Sequence, residues 1–172
     1  MFAGFGGQGI LSAAKILAMA AMEEGYEVAW IPSYGPEMRG GTAYCTVVMS
    51  DKLIGSPIIQ KPKYLIAMNL PSFEKFAPNV QKGGLIISNS TLIPTQPAPK
   101  NVDVVEVDTV AIATEGGSVR SVNIAALAAF VAKSKIVSLE SLKKSLKEQF
   151  IDKPKLIPIN IAVMEVGIKA VL

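Results

Sequence analysis

The chain has 172 residues, half of them hydrophobic and 18% charged, with a net charge of +3 and a mean hydropathy of +0.39. The length suits one domain with a proper core, since domains mostly run ~100–150 residues, and the shortage of charge implies that part of the surface is buried on a partner. With no His and a single Cys, Cys45, the chain lacks the commonest general acid/base, an intrachain disulfide pair, and the ligands of an iron–sulfur cluster or structural zinc site.

Met1–Gly4 reads as the tail of a short strand. Gly9–Glu24 reads as a helix that is apolar nearly all round, so it is buried on more than one side, and Gly25 closes it. "YEVAWI" is a second strand and "PSYGPEMRGG" a loop, from its Pro and Gly content. The β-branched and aromatic run "TAYCTVVMS" is a third strand. Asp51 and Lys52 then form a turn, and "LIG" returns as a short hairpin arm, so the Thr42–Ile54 hairpin adds antiparallel strands.

"YLIAMN" and "GLIISN" are short continuous apolar runs, the pattern of strands covered on both faces. Between them Asn69-Leu70-Pro71-Ser72 signals the start of a short helix. "VDVVEV" is a further strand after the Pro-rich link "IPTQPAPKN". The last third is helical. "SVNIAALAAFVAKS" is rich in small residues and packs closely. Ser138–Phe150 is amphipathic, with Leu139, Leu142, Leu146 and Phe150 on one face and Lys143, Lys144, Lys147 and Glu148 on the other. Pro154 and Pro158 precede a final apolar helix. The alternation predicts a three-layer α/β/α domain over 1–172 with a mostly parallel or mixed sheet.

The final apolar stretch is interrupted by Glu165 and Lys169 and is too short to span a membrane. No basic leader precedes the first apolar run, so no signal peptide is expected, and the default setting is the cytoplasm. Neither a basic stripe nor an aromatic platform is present, which argues against nucleic acid.

Gly4-x-Gly6-x-x-Gly9, within "GFGGQGI", fits the dinucleotide-binding fingerprint. That fingerprint also needs an acidic residue about 20 positions on, at the C-terminal end of the second strand, to hold the ribose. Ile31-Pro32-Ser33-Tyr34 stands there instead. Glu27 lies at the strand's start and Glu37 in the following loop, so the dinucleotide reading loses its second half. A strand–turn–helix corner accounts for Gly4, Gly6 and Gly9 through backbone freedom and close packing. It accounts less well for Gly7 and Gln8. Amide groups exposed at such a helix start are also able to hold an anion or a partner's carboxylate, so structure and contact both remain open here.

A second constellation is Ser33-Tyr34-Gly35-Pro36-Glu37-Met38-Arg39-Gly40-Gly41. It carries one of only two arginines in the chain, Arg39 and Arg120. If the first and second strands run parallel, this loop and the glycine turn leave the sheet at one edge, where α/β proteins bind ligands. Arg39 there offers a planar fork to a carboxylate or phosphate. The alternative is a tight turn with Glu37 and Arg39 solvated. Cys45 reads as a small buried hydrophobe with no base to activate it.

"GFGGQGI", "SYGPEMRGGTAYCTVVMSD" and "MNLPSFEKF…KGGLIISNS", in order along nearly the whole chain, resemble the gamma subunit of the 2-oxoacid:ferredoxin oxidoreductases. That group includes the pyruvate, 2-oxoglutarate and 2-oxoisovalerate enzymes. The resemblance implies a Rossmann-like, non-catalytic domain packed on alpha and beta subunits, with a ferredoxin-like delta subunit as a further partner and ferredoxin reached through the complex. It also implies that thiamine diphosphate, Mg2+, iron–sulfur clusters and coenzyme A serve the complex, with no cofactor held by this chain alone. Gly4, Gly6, Gly7, Gln8, Gly9, Ser33, Tyr34, Gly35, Pro36, Glu37, Arg39, Gly40 and Gly41 then become subunit- or ligand-contact loops, with no catalytic residue and no metal ligand. The small subunit of indolepyruvate oxidoreductase and a stand-alone dinucleotide-binding protein are the alternatives. The first strand departs from the family in being very short: either its start is trimmed or this edge leans on a neighbour.

Overall fold

The computed structural model describes residues 1–33 and 42–172, the side chain of Thr42 excepted. Six short strands lie in one sheet: β1 (Phe2–Phe5), β2 (Glu27–Ser33), β3 (Thr42–Ser50), β4 (Tyr64–Ala67), β5 (Gly84–Asn89) and β6 (Val102–Val107), in the order β2-β3-β1-β4-β5-β6. β1, β4, β5 and β6 pair in parallel, while β3 runs antiparallel to both β1 and β2. The helices are α1 (Ile10–Glu23), α2 (Leu70–Phe76), α3 (Thr109–Glu115), α4 (Val122–Ser134), α5 (Leu139–Gln149) and α6 (Leu156–Lys169). The mixed α/β architecture is the one the alternation predicts.

The two faces of the sheet are covered unequally. On one face Phe2, Cys45, Ile66 and Ile87 pack into a large core with Ile16 and Leu17 of α1 and Ile124, Leu127 and Val131 of α4. On the other, Ala3, Leu65, Ala67 and Ile86 form a smaller core with Phe73 of α2 and with Ala77, Val80, Ile93 and Val102. Neighbouring residues on β4 and β5 therefore enter different cores, which is why both strands read as continuous apolar runs.

Local chemistry sets the helix ends. Gly25, at φ +85, lets the Tyr26 N–H reach back to Ala21 O at 3.1 Å and the Gly25 N–H to Met22 O at 3.0 Å, which satisfies carbonyls at the end of α1. Asn69, Asp108 and Ser138 cap α2, α3 and α5, each accepting a backbone N–H through its side chain. All of Asn123–Ala132 in α4 is buried. The row of small residues admits α6 so closely that a Cβ on Gly167 would stand 3.0 Å from Ala125 O and 3.1 Å from Ala128 Cβ. In α5, Leu142 and Leu146 are buried while Leu139 stays partly exposed; Lys143 and Lys144 pair with Glu165 and Glu23.

Four expectations change. Leu53, Ile54 and Gly55 form no strand; β3 takes its antiparallel partners from β1 and β2, because β2 supplies a full seven-residue ladder and leaves no room for a return arm. The short first strand is not an edge: β1 lies between β3 and β4. Pro158 lies inside α6, in its first turn, where a residue has no intrahelical N–H bond to lose. α3, in "TVAIATE", escapes periodicity because it is only seven residues long and follows its strand after the single capping residue Asp108.

Candidate functional site

Because β1 and β2 are both antiparallel to β3, they run parallel to each other. Ala3 and Ser33 face the same residue, Tyr44, from opposite sides of β3, a separation of two strand spacings, or ~10 Å. The glycine turn and the end of β2 thus leave the sheet at one edge, together with the C-terminal ends of β4, β5 and β6. Tyr34, Gly35, Pro36, Glu37, Arg39, Gly40 and Gly41 lie outside the described residues. Ser33 is partly buried at the rim of this edge.

Three glycines at the turn have distinct physical reasons. Gly4 sits in β1, where a Cβ would meet Gln8 Oε1 and Ile10 Cδ1, each at 2.6 Å. Gly9, at φ +72, precedes α1, and a Cβ there would meet Asn123 Nδ2 at 2.6 Å; Asn123 also donates to Gly9 O at 3.1 Å. Gly7 has open space around it but a φ of +94, so its role is backbone conformation. That gives the glycine a reason which sequence reading did not find.

Gln8 is held by its own chain. Its Oε1 accepts the Phe5 N–H at 2.7 Å and Asn69 Nδ2 at 3.1 Å, and its Nε2 donates to Met68 O at 3.3 Å. β1 and β4 mark the point where the strand order reverses, so the crevice between their C-terminal ends is where a doubly wound sheet takes a ligand. Here the Gln8 carboxamide bridges that crevice, its oxygen accepting from both the Phe5 N–H and Asn69 Nδ2.

The network continues along the edge. Asn89 at the end of β5 donates to Met68 O at 3.1 Å and accepts from Thr109 Oγ1 at 2.8 Å. Thr91 Oγ1 donates to Asp108 Oδ1 at 2.7 Å, and Asp108 also caps α3 through the Ala111 N–H at 3.0 Å. These bonds hold the Asp108 carboxyl below the ordinary carboxylate range, with the Ala111 amide the largest cause. Sequence reading missed Asn89, Thr109 and Asp108 in this role. The available signal was that both apolar runs, "YLIAMN" and "GLIISN", end in Asn.

Glu27 pairs with Ser50 at the opposite end of β2, too far from the turn to hold a ribose beside it. Cys45 is fully buried, and burial pushes its thiol up to about 11, so it is no nucleophile at neutral pH. Among the described residues, no three His, Cys, Asp or Glu side chains are placed to share a metal ion, and no helix is long and apolar enough to cross a membrane.

The family model described as pyruvate ferredoxin/flavodoxin oxidoreductase matches residues 1–170. The chain belongs to this family. It is 40% identical over 167 residues to the ketoisovalerate oxidoreductase subunit VorA of Methanothermobacter marburgensis, covering 96% of this chain but 34% of that one. The chain therefore spans about a third of the length of this curated relative. Among solved structures, the keto/oxoacid ferredoxin oxidoreductase gamma subunit of Geobacter sulfurreducens PCA superposes with a TM-score of 0.85 at 28% identity, covering 99% of this chain and 95% of that one. The 2-oxoglutarate:ferredoxin oxidoreductase of Magnetococcus marinus, with 2-oxoglutarate, coenzyme A and succinyl-CoA bound, superposes with a TM-score of 0.86 at 25% identity, covering 99% of this chain and 31% of that one. In this oxidoreductase family the domain thus occurs both as nearly a whole chain and as one third of a longer chain.

Proposed function

We propose that this chain is the gamma component of a 2-oxoacid:ferredoxin oxidoreductase, which converts a 2-oxo acid, coenzyme A and oxidised ferredoxin to acyl-CoA, CO2 and reduced ferredoxin. Its role is to pack on the alpha and beta subunits rather than to perform the chemistry. The observation that carries this reading is the family match over 1–170 together with the Geobacter gamma subunit, which this chain covers almost end to end.

The chemistry of the donor set supports the division of labour. One buried Cys and no His do not fit an iron–sulfur cluster, and the crevice that would receive a diphosphate is bridged by Gln8. Thiamine diphosphate, Mg2+ and the clusters therefore belong to the other subunits in this reading, as does ferredoxin docking through a delta component. The contact loops are Gly4–Gly9 and 33–41, which start from the same sheet edge, with Glu37 and Arg39 as the charged contacts.

Co-expression with alpha and beta subunits tests the assignment. Arg39→Ala and Glu37→Ala are expected to lower acyl-CoA formation or the yield of assembled enzyme. Unchanged assembly and unchanged turnover in both variants would remove the loop from the active-site approach.

A further inference from the structure

α1 is the one helix that packs substantially on β2 and β3 among the described residues. It covers the face bearing Val28, Val47 and Met49. Strand alternation puts Ala29, Ile31, Ser33, Tyr44, Thr46 and Val48 on the opposite face, which among the described residues α2 meets at one end, the Phe76 ring centroid lying 5.1 Å from that of Tyr44. Pro57, Ile58, Ile59, Gln60 and Pro62, from the irregular chain after β3, stand along it. A groove of about 330 Å³ between Ile31, Ser33, Tyr44, Ile58, Ile59 and Phe76 runs along this face. Ile58, part of its lining, stands 78% exposed. Among the described residues, no Asp, Glu, Lys or Arg lines the groove.

The flanks are cationic. Lys61 sits between the groove residues Gln60 and Pro62, and Lys75 Nζ lies 5.8 Å from the Tyr44 ring centroid and 5.2 Å from that of Phe76. An apolar floor inside a basic rim has the anatomy of a protein interface rather than of a solvated surface. The relatives indicate what supplies the other side: in the VorA and Magnetococcus chains, two thirds of the polypeptide lies beyond this domain.

Resting on the gamma-component reading, we infer that the face of β2–β3 opposite α1, with Ile58 and Ile59 at its groove, is the docking surface for the catalytic part of the enzyme. The partner presents an apolar ridge flanked by carboxylates facing Lys61 and Lys75.

The test is co-purification of the full chain with the alpha and beta subunits, followed by size-exclusion chromatography and affinity measurement. Ile58→Asp and Ile59→Asp are expected to weaken association by about tenfold or more each, and Lys61→Glu with Lys75→Glu to slow association chiefly at low salt. Ile151→Asp, at an exposed apolar position after α5, is expected to leave association intact. Wild-type assembly that all the groove variants share would overturn the surface while leaving the gamma-component reading in place; failure of the wild type to assemble would overturn both. A drop in the melting temperature of the isolated chain, specific to Ile58→Asp and Ile59→Asp, would mean the groove is filled from within. A wild-type dimer that those variants dissociate would assign the face to a second copy. Either result overturns the proposal.

Discussion

Asn69 Nδ2 donates to Gln8 Oε1 at 3.1 Å, joining residues 61 positions apart in sequence. The same Asn69 uses its Oδ1 to cap α2 through the Ser72 N–H at 2.9 Å. One side chain thereby ties the glycine turn after β1 to the helix that follows β4, and the crevice between these strands closes on itself.

Gln8→Ala removes the acceptor for Phe5 N–H and Asn69 Nδ2 and the donor to Met68 O. The expected cost is about 1–3 kcal/mol, because the partners left behind are partly buried. Denaturant unfolding measures it, and a change below about 0.5 kcal/mol, the range of ordinary surface substitutions, would show that the carboxamide does not hold the turn.

The bridged crevice predicts that the isolated chain binds no dinucleotide. Titration with NADH or NADPH, followed by fluorescence or calorimetry, is expected to show no saturable binding up to millimolar ligand. Saturation in the micromolar range would restore the stand-alone dinucleotide-binding reading.

The glycines should rank by mechanism. Gly7→Ala meets open space and is strained only by its φ of +94, a cost of about 1–2 kcal/mol for a left-handed residue. Gly9→Ala adds to a φ of +72 a Cβ lying 2.6 Å from Asn123 Nδ2, so overpacking contributes about 1–3 kcal/mol more. Thermal unfolding of the two variants is expected to put Gly9→Ala clearly below Gly7→Ala; the reverse order would contradict the packing of α1 against α4.

Asp108 has a carboxyl whose folded pKa lies below its unfolded value. Its stabilising contribution is therefore present above the unfolded pKa, near 4, and is lost as pH falls through the folded pKa. Asp108→Ala is expected to cost about 0.5–2 kcal/mol at neutral pH as a lost helix cap, and the gap to wild type should narrow on acidification. A pH-independent gap would place the effect elsewhere.

Cys45 shifts in the opposite sense. Its folded thiol pKa of about 11 exceeds the unfolded value of about 8.5, so the native state binds more protons between these limits and stability falls as pH rises through that window. Iodoacetamide is expected to leave the folded chain unlabelled near pH 8 and to label it rapidly in denaturant. Fast labelling of the native chain would contradict the burial of Cys45.

Most of the fold was legible because each strand from "YEVAWI" to "VDVVEV" is a short apolar run bounded by Gly, Pro or Asn, and those signals are local. The hairpin arm at Leu53–Gly55 misled because an apolar triplet after a turn resembles a strand, whereas its pairing depends on which edge of β3 is free. The site was legible as two Gly-rich segments, since turns and cap positions carry their own residue chemistry. The network through Asn89 and Thr109 was not, because its donors and acceptors lie 20 residues apart and meet only at the sheet edge.

By itself the sequence determined the class of fold, the buried helices α1 and α4, the helix ends at Gly25 and Asn69 and, through "GFGGQGI" and "SYGPEMRGG", the family. It also excluded a cluster or disulfide by ligand count alone, a limit that no folding can lift. Tertiary structure decided which strand neighbours which, that β1 is central, that Gln8 bridges the crevice, and which face of β2–β3 α1 covers. These are long-range pairings: their energies come from groups far apart in the chain, which residue-by-residue propensity and periodicity do not contain.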